Sequence, residues 1–464
     1  MIDYNLGPDI SIARRQGEWV SAVVYEDIPD KTLLVAKCCL LDFLGVAIKG
    51  STLSQSRPAR LLAESMGINV RGGTTVIGGG RAPPSYAAYA NGTFGHSLEY
   101  DDFHIDCGHP GVCVIPAALA TAELSNASGR DLLTAIVAGY QAMVWSIAPI
   151  HRRTLELGWH GTKVGGPFGA AAVTAKLLRL DPHQIAEALA IAASEASGSM
   201  EYDQSGGEVK RIHAGSASRA GFQAAFLAQA GLTGPKEVFE GLRGIYRLFS
   251  CNSTYHLAKY WTGRFHIDDV MFKLYPSAGS THAALDAFGA LMTRHSIMPD
   301  SIEAVDVETV DWSVSHGATI YEPVDVIGAQ FSLAFGIALL AVTGENRLED
   351  YSNPARWRDP AMLAMARRVT PISAPVPEGA SELFARVRVS LKNGQEFAEY
   401  QPAPRGYPSN PAAHDELVRK FRSITEGILL SSDQDALQSL VDRLENVSSL
   451  EPLFAILERV SVTA

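Results

Sequence analysis

The run LLTAIVAGYQAMVWSIAPI, residues 132–150, carries no charged side chain over nineteen positions. A segment of that length and polarity belongs either in a bilayer or in the interior of a large core. Thr134, Gly139, Gln141, Ser146 and Pro149 interrupt its apolar character, and no second span like it occurs. It is therefore read as the central helix of a large all-α core, buried on most sides, with no membrane partner. A chain of 464 residues has room for two or three domains, and 47% hydrophobic against 19% charged residues supplies the buried surface.

The segments around that run are also helical in pattern. Residues 31–48, 60–66, 85–94 and 114–125 precede it or lead into it, and a helix is expected over 131–151. Asp181-Pro182 is an N-cap followed by a first-turn proline, which starts a helix running to about Ala196. Residues 165–180 and 213–230 are rich in glycine and alanine, so their helices can approach neighbours closely. After about Phe265 the pattern changes. Ile302, Val305, Val307 and Val310 alternate as in a strand, and VRVSLKNGQEFA holds two runs joined by Asn393-Gly394, a hairpin signal. Helices at 281–293 and 330–342 lie between these strands, and helix returns from Pro411. The predicted fold is mostly α. A large all-α helical domain covers residues 1–265 and is completed by 406–464; a smaller α+β lid domain covers 266–405.

The densest chemistry lies at residues 91–116, NGTFGHSLEYDDFHIDCGHPGVCVIP. It holds three histidines (His96, His104, His109) and four acids (Glu99, Asp101, Asp102, Asp106) between apolar flanks. Charges beside a core are costly unless paired or used. The stretch is read as one wall of an active site, against the plainer reading of a solvated acidic loop. His109 stands between Gly108 and Pro110, which can fix its ring, and Asp101, Asp102 or Asp106 can orient it. His96 and His104 suit capping or core roles better.

Three further stretches carry polar chemistry. GWHGT places His160 just before a helix start, whose N-terminus favours an anion. EVKRIH places Lys210, Arg211 and His213 before another. FKLYP followed by STH sets Lys273 between apolar neighbours, with His282 opening a helix; a desolvated lysine can serve as acid or base. Taken alone, a lone histidine is more often structural than catalytic, and the EVKRIH run reads first as solvated charge. No Walker loop, GxSxG elbow, HExxH or strand-to-helix GxGxxG is present. The set suits acid–base chemistry on a small anionic carboxylate with no cofactor and no metal. A net charge of −11 with no basic run excludes a nucleic-acid partner. Five cysteines without CxxC spacing and an N-terminus without an apolar leader fit a cytoplasmic protein, with Cys107 a bystander.

Taken in order, YAAYANGTFGHSLEYDD, GHPG, GWHGTKVGGPFGAAAVTAKLLRL, VKRIHAGSASRAGFQAAFLAQAGL, FKLYPSAGSTHAALDA and AQFSLAFGIALL resemble the MmgE/PrpD family. Its members include 2-methylcitrate dehydratase, cis-aconitate decarboxylase and iminodisuccinate epimerase, which act on small di- or tricarboxylates without a metal. The resemblance implies a helical domain, a smaller lid and a homodimer. It places the active-site histidines at His109 and His160, the basic pair at Lys210 and Lys273, and the loop acid at Asp102 or its neighbours. Three positions depart from the decarboxylase pattern: Glu99, Phe103 and Phe335. These departures turn the expectation from decarboxylation toward an iminodisuccinate-type epimerase, with a hydro-lyase of the 2-methylcitrate dehydratase type as alternative. His109, His160, Lys273 and Asp102 are then the catalytic candidates; Lys210, Arg211, His282 and Glu99 bind substrate. The first base is His109 or, failing it, His160 or Lys273. A metal-dependent hydrolase on His96, Asp101, Asp102, His104 and His109 matches no standard ligand spacing. A non-catalytic helical interaction protein leaves these clusters unexplained.

Overall fold

The computed structural model describes residues 10–67, 72–202, 206–251 and 257–461. The first residues of the N-terminal stretch, read above as lacking a leader, lie outside them. The chain divides into two compact units. One falls within Met1–Ser97, Asp101–Val270 and His414–Ala464, the other within Leu98–Tyr100 and Met271–Ala413. The whole is 59% helical with 9% strand, a mostly α fold with a smaller α+β part.

In the helical unit, α1 (Ile12–Ala22) and α2 (Asp30–Ser51) are followed by α3 (Arg57–Ser65) and a two-residue ladder, β1 (Thr74–Thr75) with β2 (Arg81–Ala82). Next come α4 (Pro84–Gly95), α5 (Gly111–Ser125) and α6 (Gly129–Ile147). Helix α6 holds residues 132–147 of the uncharged run. A capping box at Ser128 and Asp131 starts it, and every residue from Leu132 to Ile147 is buried. No helix among the described residues is long and apolar enough to cross a membrane. The predicted helix to His151 stops at Ile147, and a short α7 (His151–Glu156) follows.

Helices α8 (Gly161–Leu177), α9 (Pro182–Ala192) and α10 (Lys210–Gln229) complete the bundle. Helix α8 packs on α6, α5 and α10, and α10 also packs on α4. Small residues make these crossings close: Gly215 of α10 leaves no room for a Cβ, which would meet Tyr89 O at 2.1 Å. The α9 start is as expected, with Asp181 accepting from the His183 and Gln184 N–H groups. The C-terminal segment returns to this unit. Its helix His414–Thr425 packs on α2, and Lys420 donates to Asp42 at 2.6 Å in a buried pair.

The second unit is built on a four-stranded sheet, β3 (Ile302–Thr309), β4 (Val369–Ser373), β5 (Ala385–Leu391) and β6 (Glu396–Gln401), in the order β4-β3-β5-β6. Strands β3 and β5 pair antiparallel through Val305↔Val389 and Val307↔Val387. Asn393-Gly394 turns β5 into β6, with Gly394 at φ +85°. Strand β4 was not legible in the sequence. It pairs parallel to β3 with only Val369 buried, so no alternation marks it. Helices α11 (His282–His295) and α12 (Leu333–Thr343) supply residues to the same core as the inner valines.

Candidate active site

Helix α4 ends at Gly95, and His96 follows as its C-cap, with its N–H on Gly92 O at 3.1 Å. Its ring Nδ1 lies 2.9 Å from Asp101 Oδ2. His109 Nδ1 reaches the same oxygen at 2.9 Å, and the two rings are 4.8 Å apart at 62°. All three residues are buried. Burial opposes a charge on Asp101, but His109 and His96 outweigh it and hold the carboxyl well below the usual range.

The GHPG turn sets this geometry. Gly108 has φ +87°, and a Cβ there would press on Thr162 Oγ1 at 2.6 Å. That hydroxyl accepts the His109 N–H at 3.1 Å. Pro110 caps α5, and the Gly111 N–H donates to Asp102 Oδ1 at 3.0 Å; a Cβ on Gly111 would meet that oxygen at 2.6 Å. Tyr140 of α6 donates to Asp102 Oδ2 at 2.7 Å. Burial pushes the Asp102 carboxyl up to about 7; the Tyr140 hydrogen bond opposes this, while Asp42 and Asp101 add to it.

The carboxylate beside the His109 ring is thus Asp101 rather than Asp102. Asp102 anchors the loop to α5 and α6, and only its backbone carbonyl meets the ring, 3.0 Å from Nδ1. Two acceptors at Nδ1 place the proton there, so a neutral His109 carries its lone pair on Nε2. Phe103 lies against the ring, centroids 5.4 Å apart.

His160 caps the N-terminus of α8, with its N–H on Gly198 O at 2.8 Å. Its Nδ1 is 2.9 Å from Nδ1 of His213 on α10, so one ring donates and the other accepts. Burial first, then His96, His213, Lys210 and His109, hold His160 well below its ordinary value. His213 is pushed down to about 4 by burial, His96, Lys163 and Lys210. The pair is therefore neutral near pH 7. His96 stacks on His160 at 5.9 Å, which links the two pairs.

Lys210 lies one turn before His213 on α10 and is buried, as is Arg211, which donates to Ser97 O. The sequence reading named His213 beside Lys210 and Arg211 but gave it no role in the site, missed Thr162 and Tyr140, and set His96 aside. Two signals were available: the three-residue step from Lys210 to His213 on one helix, and a tyrosine inside an otherwise apolar run.

The other candidates stand in the α+β unit. Lys273 donates to Glu99 Oε1 at 2.7 Å and to its carbonyl at 3.2 Å, both side chains buried. Glu99 holds a left-handed backbone, φ +53°, which costs energy for a residue with a side chain and persists where surroundings enforce it. The Gln330 amide fixes the neighbouring Leu98 carbonyl at 2.7 Å. His282 is fully buried at the start of α11, its Nε2 3.4 Å from Ser277 O. Phe335 is a core residue packed with Tyr351 and Trp357. The dense stretch is thereby divided: residues 98–100 count with this unit, and Asp101 onward with the helical one.

Among the described residues, two groups bring three metal-type donors within 4.8 Å: His96, Asp101 and His109; and His104, His266 and Asp269. The Nδ1 atoms of the first are proton donors to Asp101. In the second, His104 Nδ1 accepts the Asp106 N–H at 3.1 Å and His266 Nε2 donates to Tyr260 O at 2.7 Å. These proton placements suit hydrogen-bonded networks better than ligand sets. Cys107 is buried, and burial, then Asp106, drives its thiol well up, which fits a bystander.

Fold and site together define a mostly helical enzyme with a buried histidine–carboxylate cluster. The chain belongs to the MmgE/PrpD family: residues 14–258 match the MmgE/PrpD N-terminal domain and residues 275–446 the MmgE/PrpD C-terminal domain. Among curated relatives, cis-aconitate decarboxylase of Aspergillus terreus (strain NIH 2624 / FGSC A1156) is 28% identical, over 95% of this chain and 94% of that protein. Cis-aconitate decarboxylase of Homo sapiens is 27% identical over 91% and 89%, and that of Mus musculus 26% over 94% and 91%.

Proposed function

We propose that the chain is a cofactor-free lyase acting next to a carboxylate of a small di- or tricarboxylic acid, of the hydro-lyase type. The observation that carries this is the pair of unlike histidine couples: His109 on the Asp101 carboxylate, and the neutral His160–His213 pair. Loss of water needs both a base and an acid. Nε2 of His109 takes the proton beside the carboxylate, and that electron pair forms the double bond. The carbon–oxygen bond breaks; the neutral His160–His213 couple donates a hydrogen bond to the departing hydroxyl, which leaves as water with the proton that His109 took. Lys210 offsets the charge that builds on the substrate carboxylate.

The relatives' names support a lyase over the iminodisuccinate-type epimerase expected from sequence, which draws no support from them. Decarboxylation is the second reading, favoured by those names; against it stand the departures at Glu99, Phe103 and Phe335. A homodimer in the cytoplasm, expected from sequence, belongs to the same proposal, and light scattering tests its dimer part. The reaction is tested by NMR in deuterated water with 2-methylcitrate, cis-aconitate and an imino-dicarboxylate. Water loss from the hydroxy-tricarboxylate supports the proposal. Carbon dioxide release from cis-aconitate alone moves the assignment to decarboxylation, inversion of the imino-dicarboxylate restores epimerisation, and no exchange with any of them sinks the acid–base reading.

A further inference from the structure

We propose that His96 is a positioning residue that shares the Asp101 carboxylate with His109 and so sets how tightly His109 holds a proton. This rests on the reading of His109 as the proton-transfer residue. The geometry is specific. Both imidazoles place Nδ1 2.9 Å from one oxygen, Asp101 Oδ2, while Oδ1 has no hydrogen-bond partner among the described residues. Nε2 of His96 is likewise buried without one. His96 forms its side-chain hydrogen bond with the acid that serves its neighbour.

Sharing has a chemical consequence. A proton gained by His109 is stabilised by the negative charge of Asp101. A second donor on the same oxygen draws part of that charge to itself and weakens the pull on His109. Two imidazolium rings 4.8 Å apart would repel, so a proton gained by one ring disfavours a second on the other. The other groups facing these rings are His160 against His96, His213 beside them, and His151 near His109; Lys210 acts on the His160–His213 couple. Asp102 meets the His109 ring through its backbone carbonyl and Asp106 acts on His151, while Asp101 is the carboxylate that both His96 and His109 contact.

The test uses the full chain with its 13 histidines labelled in the ring, followed by NMR across pH without substrate. His96→Leu fills a similar volume with no donor, and His96→Asn keeps an N–H at the place of Nδ1. In the wild type both His96 and His109 are expected to carry the proton on Nδ1. His96→Leu is expected to move the His109 midpoint upward by about one pH unit, the scale of a nearby charge effect, and His96→Asn to leave it near the wild-type value. The low-pH limb of kcat/KM should follow the same pattern. A His96 ring protonated on Nε2 in the wild type overturns the proposal, and that reading needs no variant to fold. So does an unmoved His109 midpoint in His96→Leu, or an equal shift in both variants. Because the NMR arm needs no turnover, absence of activity on every carboxylate would count against the proposed function and not against this inference.

Discussion

His109 is held by its own backbone as well as its ring: Thr162 takes its N–H, Asp102 O and Asp101 Oδ2 take Nδ1. A substitution that keeps the amide geometry but not the titrating ring should therefore leave the fold intact. His109→Gln is expected to keep the wild-type circular dichroism and to lose about a hundredfold or more in turnover, with loss of substrate α-proton exchange. Exchange at the wild-type rate would pass the role of base to His160. The Lys273–Glu99 pair obeys different physics. Removing one partner leaves a buried charge without its counter-ion, so Glu99→Ala is expected to destabilise by about 3–5 kcal/mol, while Glu99→Leu with Lys273→Met recovers most of that. Urea unfolding of the single and double variants checks this; equal losses in both would mean the pair is not the cause. At this scale the sequence showed which residue types were present, but not which acid faced which base. Asp101 and Asp102 are adjacent and chemically identical, and only the turn through Gly108 and Gly111 sends one to His109 and the other to Tyr140.

Helices are where sequence reading went furthest. The small-residue content of α8 and α10 led to the expectation of close packing, and Gly215 realises it. A Cβ there would sit 2.1 Å from Tyr89 O and 2.3 Å from Thr93 Oγ1 on α4. Gly215→Ala must push α10 away from α4, which carries His96 at its end. The expected cost is about 2 kcal/mol or more, seen as a lower thermal midpoint, with turnover reduced at temperatures where the variant is still folded. An unchanged midpoint would show that the crossing has slack. Strand β4 and helix α1 escaped sequence reading for a shared reason. Their apolar pattern is weak, and partners distant in the chain hold them: Val369 pairs with Val305, and the Ile12 N–H meets Glu240.

For the molecule as a whole, the buried histidines set the response to acid. His104, His151 and His213 are each pushed down to about 4 from an ordinary value of 6.5, chiefly by burial, and His160 falls well below its ordinary value. Between about pH 6.5 and 4 the unfolded chain binds these protons and the folded chain does not, so stability falls as pH drops through that window. Asp102 works in the opposite sense. Its carboxyl, raised from 3.8 to about 7, binds a proton in the folded state that the unfolded state has released, so its term favours folding at the acid end and is lost as pH rises toward 7. The four histidines outweigh Asp102 in this window, so net stability is expected to decline on acidification. His213→Gln should flatten the decline and Asp102→Asn should alter it least near pH 4, as read from unfolding midpoints across pH. A wild-type midpoint constant from pH 6.5 to 4 would contradict this.

By itself the sequence determined the class and those elements with strong local signals: helical period, the uncharged α6 run, capping residues and the Asn-Gly hairpin act within a few residues. It also narrowed the chemistry to histidines, lysines and acids in a few stretches. Tertiary structure alone decided the partnerships. His160 and His213 are 53 residues apart, and Lys273 and Glu99 are 174 apart. No spacing rule reaches across such distances, because those contacts exist only after helices have packed. The same packing removes water from the cluster, and it is that desolvation, invisible in the chain's composition, that lowers His160 and His213 and raises the Asp102 carboxyl.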